Sequence, residues 1–221
     1  PKRCHQKRSS RRMRRRVQLG AAVLAHPTLE TFNHIPIKAM RADAVTELSL
    51  IAEEIGVAGS VVVAGLVPVM SSVTSLSLRQ NSLGNEGAEA LSIGLRESKS
   101  VATLDLQVND IGPKGATALA SAIAVMSSIT SLTLEANSLG DEGVEALSIG
   151  LRKSTSLATL NLADNGIGPT GATALASALA VSASLTSVTT ARNEIGDGAS
   201  QLSAAVLANA KIEKFNGIPI M

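Results

Sequence analysis

Apolar residues recur along most of this chain in a fixed order. Leu76, Leu104, Leu132, Leu160 and Val188 stand 28 residues apart, and Leu78, Leu106, Leu134 and Leu162 keep the same spacing. Within each unit the periodicity changes part-way. The first half, TSLSL in the unit 71–98, alternates apolar and polar positions, as a short strand with one buried face does. In the second half Ala88, Leu91 and Leu95 are spaced by three and four, which marks one face of a helix. Gly84 and Gly87 lie between the halves, where the chain is expected to turn. Asn85 and Asp141 are the expected helix N-caps, and Pro113 and Pro169 suit a first helical position, where a missing N–H costs nothing.

Units of this kind begin at 43, 71, 99, 127, 155 and 183. One unit alone cannot bury both of its apolar faces, whereas stacked copies can. The expected fold is therefore an α/β solenoid, a horseshoe with parallel strands on its concave face and helices on its convex face. Polar positions recur as well. Asn81, Asn109, Asn137, Asn165 and Asn193 follow the strands at the same interval of 28. Their amides can satisfy backbone groups in each turn and stack into a structural ladder. Glu53 departs from the pattern in the first unit, so that turn is either looser or capped differently.

A longer period overlies the short one. Units 71–98 and 127–154 are identical at 21 of 28 positions, and 99–126 and 155–182 at 19. Neighbours 71–98 and 99–126 share only 10, so the duplicated module is a pair of repeats, 56 residues long.

The pattern LxxLxLxxN-x-[IL]-G-x-x-G-[AV]-x-x-L resembles the leucine-rich repeat of the ribonuclease-inhibitor type, densely over residues 43–210. That type also occurs in nucleotide-binding immune receptors and in a Ran GTPase-activating protein. The resemblance implies a horseshoe that works by protein–protein contact. It implies a GTPase regulator by family analogy only.

The ends carry their own signal. The last full unit has GDG where the pattern has GDEG, so one residue is missing after Gly196. AAVLAHPTLETFNHIPI (21–37) then matches AAVLANAKIEKFNGIPI (204–220). Residues 18–26 read as the tail of a repeat helix, 29–32 as a strand and Ile35–Arg41 as a shortened connection. The FN-x-IPI element resembles a spacer between repeat blocks in leucine-rich-repeat families of single-celled eukaryotes. The expected layout is a basic tail (1–17), a partial and shortened edge repeat (18–42), six leucine-rich repeats (43–210) and the start of a further repeat (211–221). Neither end shows a polar capping unit, which favours a fragment of a larger protein or a subunit of an assembly.

Composition changes this picture in two ways. The chain is 45% hydrophobic yet has two Phe and no Tyr or Trp, which suits thin aliphatic layers and leaves no aromatic anchor for a ligand. Its net charge of +2 is uneven: nine bases and no acid lie in residues 1–16, leaving the rest at −7. The arm centred on Arg11, Arg12, Arg14, Arg15 and Arg16 is open to four readings. It is a nuclear-localisation signal, an organelle transit sequence, an arm for RNA or another polyanion, or a solvated tail. The compartment follows: intracellular, cytoplasmic first, nuclear or organellar as the alternatives. No apolar stretch is long enough for a membrane span.

Catalytic chemistry is not expected. Cys4 reads as a free thiol. His5, His26 and His34 have no Cys or paired carboxylates at ligand spacing, and the chain has neither GxGxxG nor GK[ST]. No cofactor and no metal are expected. The candidate binding face is the concave one, where Ser77, Arg79, Asp105, Gln107, Thr133, Glu135 and Asn161 flank the core leucines and Arg192 stands near its far end. The expected partner is an unidentified protein. The alternative from another class is a nucleic-acid-associated subunit using the basic arm.

Overall fold

The computed structural model of the chain describes Arg15 and residues 18–220. Short strands and helices alternate through it. The strands are β1 (Glu47–Ser49), β2 (Ser75–Ser77), β3 (Thr103–Asp105), β4 (Ser131–Thr133), β5 (Thr159–Asn161), β6 (Ser187–Thr189), β7 (Lys214–Phe215) and β8 (Ile218–Pro219). The helices are α1 (18–25), α2 (Ile37–Arg41), α3 (Gly56–Leu66), α4 (Gly84–Glu97), α5 (Pro113–Ile123), α6 (Gly140–Lys153), α7 (Pro169–Leu179) and α8 (Gly198–Ala208).

The strands pair in sequence order and are parallel from β1 to β7. Register follows the repeat: Leu76 pairs with Leu104, Leu104 with Leu132 and Leu132 with Leu160. Each strand is shorter than its alternating pattern. The Leu78 N–H still bonds the Asp105 carbonyl at 2.9 Å, but Gln80 then takes φ +59° and turns the chain toward the helices. Leu76, Leu78, Leu83, Leu91 and Leu95 are buried between sheet and helix, and their counterparts extend the same layer through the stack. Burying each such leucine contributes about 1.5–3 kcal/mol, so stacking supplies what one thin unit lacks.

Two expectations need correction at the helix starts. Gly84 does open α4 with φ +61°, but Gly87 lies within the helix, where a Cβ would meet Ser60 Oγ at 2.8 Å. Asn85 and Asp141 do not cap their own helices. Asn85 Oδ1 accepts the N–H groups of Gly112 and Gly115 at 3.0 and 2.8 Å, at the start of α5. Asp141 Oδ1 accepts those of Gly168 and Gly171 at 2.7 and 2.9 Å, at the start of α7. Pro113 and Pro169 occupy the first helical position, so the oxygen reaches the free donors on either side of the proline. The cap belongs to the preceding repeat.

The edges differ from the body. Residues 29–31 form no strand; Phe32 and Ile35 make an isolated antiparallel bridge across Asn33 and His34, both at positive φ. β7 and β8 do the same across Asn216 and Gly217. Two successive positive φ angles make the tight primed turn that matches the twist of an antiparallel pair.

Candidate functional site

The five asparagines each tie a turn to the repeat before it. Asn109 Nδ2 donates to the Leu78 and Gln107 carbonyls at 2.8 and 3.2 Å, while its Oδ1 accepts the Asn81 and Leu83 N–H groups. Asn137 repeats this on Leu106, Leu134, Asn109 and Ile111. Asn81 bonds Leu50 and Leu78 and accepts from Glu53 and Ile55, so the Glu53 turn is held by a neighbour's amide. Asn193 serves Asn165 and Ile167 in the same way. Asn165 donates to Leu134 and Leu162, but its buried Oδ1 has no partner among the described residues. At that step Ser138 N–H bonds the Ile111 carbonyl at 2.9 Å.

These bonds hold the sheet whose open face is the candidate site. Ser77, Asp105, Thr133 and Asn161 stand on β2 to β5, half-buried, and Arg79, Gln107 and Glu135 follow two residues on. Ser77 Oγ donates to Asp105 Oδ2 at 3.3 Å, and Asp105 Oδ1 accepts the Gln107 N–H at 3.0 Å. Arg79 is half-buried with its Nε enclosed and unpartnered. Thr133 makes no bond that distinguishes it from the row.

One cluster joins three repeats. Asn161 Nδ2 donates to Glu135 Oε2 at 2.9 Å, and Arg192 Nη2 donates to Glu135 Oε1. Glu135 and Arg192 are separated by 57 residues and two strand spacings, so only the stacked sheet brings them together. The Arg192 side chain is 61% exposed and that of Glu135 21%. A pair this open contributes little to stability, below about 1 kcal/mol. Its effect is to tie the exposed guanidinium to Glu135. Both residues were in the expected set, but nothing in their spacing pointed to the pairing.

The basic arm gives less. Arg15 is helical and exposed, while Arg11, Arg12, Arg14 and Arg16 lie outside the described residues. Among the described residues no group of three or more His, Cys, Asp or Glu is placed to hold a metal ion, and no helix is long and apolar enough to cross a membrane.

Parallel strands in register, helices on the other side and a side-chain amide ladder between them define a solenoid that presents one broad polar sheet face. The family described as Leucine Rich repeat matches residues 69–92, 97–120, 125–148 and 153–176, and this chain is a leucine-rich-repeat protein. No curated protein matches the sequence. Among solved structures, the tropomodulin C-terminal domain of Caenorhabditis elegans is similar at 17% identity and a TM-score of 0.51, covering 81% of this chain and 93% of that one. Leiomodin-1 actin-binding site 2 is similar at 14% identity and a TM-score of 0.45, covering 85% of this chain and 79% of that one. At such identity the tropomodulin likeness establishes a shared fold and no more. Neither the family match nor these likenesses supports the nucleic-acid or the GTPase-regulating alternative.

Proposed function

We propose that this chain is a protein-binding scaffold that presents its concave sheet face to a partner, as one part of a larger protein or assembly. The observation that carries this reading is the face itself. Six in-register strands display mostly small polar side chains, and the Asn161–Glu135–Arg192 cluster holds an exposed guanidinium on that face. Hot spots are enriched in Trp, Tyr and Arg, and the face offers only Arg79 and Arg192 of these. Affinity would therefore come from extended contact, with the arginines as orienting points.

The test is site-specific photocrosslinking in the native host. Crosslinkers at Gln107, Thr133 and Asn161 sample the sheet face, and crosslinkers at Glu145 and Thr173 sample the exposed helical face. The reading expects one protein adduct from the sheet positions, lost on Arg192→Glu with an unchanged circular dichroism spectrum. Adducts from the helical positions alone would overturn it.

A further inference from the structure

The chain contains one structural element twice, in two environments. QLGAAVLAHPTLETFNHIPI (18–37) and QLSAAVLANAKIEKFNGIPI (201–220) each run from a helix through an FN-x-IPI hairpin. In the first copy three apolar side chains, Leu24, Ile35 and Ile37, are covered. Ile35 and Ile37 are wholly buried, and Leu24 packs against the core. What covers them is α3. A Cβ at Gly59 would lie 3.3 Å from Ile35 Cδ1, and one at Gly65 would lie 2.4 Å from Leu24 Cδ1. Met40 of α2 completes the plug with no exposure at all. Lys38 then donates to Glu30, which holds that carboxyl below its ordinary range.

In the second copy the same side chains are open. Leu207, the counterpart of Leu24, is 71% exposed, and Ile218, the counterpart of Ile35, is 66% exposed. Ile220 is only partly buried where Ile37 is closed. The shape is retained: β7 and β8 form the hairpin, and Phe215 packs on the core as Phe32 does.

From this comparison we propose that the face formed by α8 and the β7–β8 hairpin is a docking site for a further strand–helix repeat block, joined through that hairpin and led by a helix of the α3 type. The occupant is specified by its counterpart. It places residues without a bulky side chain over Leu207 and Ile218, as Gly65 and Gly59 do over Leu24 and Ile35. One position must differ. Ser203 stands where Gly20 does, and a Cβ at Gly20 would lie 2.7 Å from Val61 Cβ. The incoming helix therefore carries Gly in place of Val61, since Ala would keep the Cβ that clashes. This proposal concerns a different surface from the concave face, and the two stand or fall separately.

The test joins residues 1–220 to a second copy of 38–98 bearing Val61→Gly, which keeps the spacing of the first junction. Hydrogen exchange is followed at the amides of Ala205–Ala208, Ile218 and Ile220. The proposal expects these to slow at least tenfold against the unextended chain. Leu207→Asp with Ile218→Asp should leave the urea midpoint of the unextended chain unchanged and abolish the slowing in the extended one. An appended block that folds without protecting α8 would overturn the proposal, and so would one that stays unfolded. A dimer of the unextended chain, dissolved by the same two substitutions, would also overturn it by making the face a contact between copies.

Discussion

Two kinds of helix step alternate from α3 to α7. At α3→α4 and α5→α6 the later helix comes against the backbone of the earlier one. A Cβ at Gly94 would lie 2.0 Å from the Ala64 carbonyl oxygen, and one at Gly150 would lie 2.4 Å from that of Ala120. At α4→α5 and α6→α7 the counterparts of those glycines are the buried Ala122 and Ala178, so the helices leave room for a methyl group. These wider steps are joined by polar contacts instead. Asn85 and Asp141 cap the next helix, and Arg96 and Arg152 reach Ser121 and Ser177. The difference teaches that the 56-residue duplication is a physical unit: a close-packed step cannot be exchanged for a capped one without losing the partner of each group.

The substitutions that probe this comparison fall in order of size. Gly94→Val forces a side chain into a neighbouring backbone and should cost about 3 kcal/mol, read from the urea midpoint. A cost near zero would break the distinction between the steps. Asn137→Ala should cost ~1–3 kcal/mol, because it orphans backbone groups on both sides of its amide. Asn165→Ala should cost less, since its Oδ1 holds nothing. Equal losses for the two would mean that the accepted N–H groups contribute nothing. Asp141→Ala should cost about 1 kcal/mol and speed hydrogen exchange at Gly171, while Asp141→Asn should be close to neutral because Asn85 fills the same role. Arg152→Ala removes an exposed contact and should shift stability by less than about 0.5 kcal/mol.

Much of this was legible in the sequence. The leucine and asparagine spacing carries the register, the layering and the side on which the helices lie, because each depends on a residue's own position within a repeat. What was not legible depends on the neighbouring repeat. Asn85 looks like a cap for α4 by local rules, yet the packing carries its oxygen to α5 across 27 and 30 residues. Residues 29–32 read as a strand because they match a repeat's strand positions, but among the described residues no earlier strand lies beside them, and they form only the Phe32–Ile35 bridge. The sheet-face positions were readable from alternation, whereas the Glu135–Arg192 pair needed the stacked geometry.

The most direct measurement compares equilibrium urea unfolding of two internal deletions. Removing 99–154 takes out a full pair and brings α4 against α7, so Asn85 meets Gly168 and Gly171 and Arg96 meets Ser177. Removing 99–126 alone brings α4 against α6, where Arg96 faces Ile149 and Asn85 finds no proline-led helix. Stability in stacked repeats ordinarily rises with their number. The account predicts the reverse here: the chain that has lost 56 residues unfolds in one transition at a higher midpoint than the chain that has lost 28. A higher midpoint for the single-repeat deletion would contradict it.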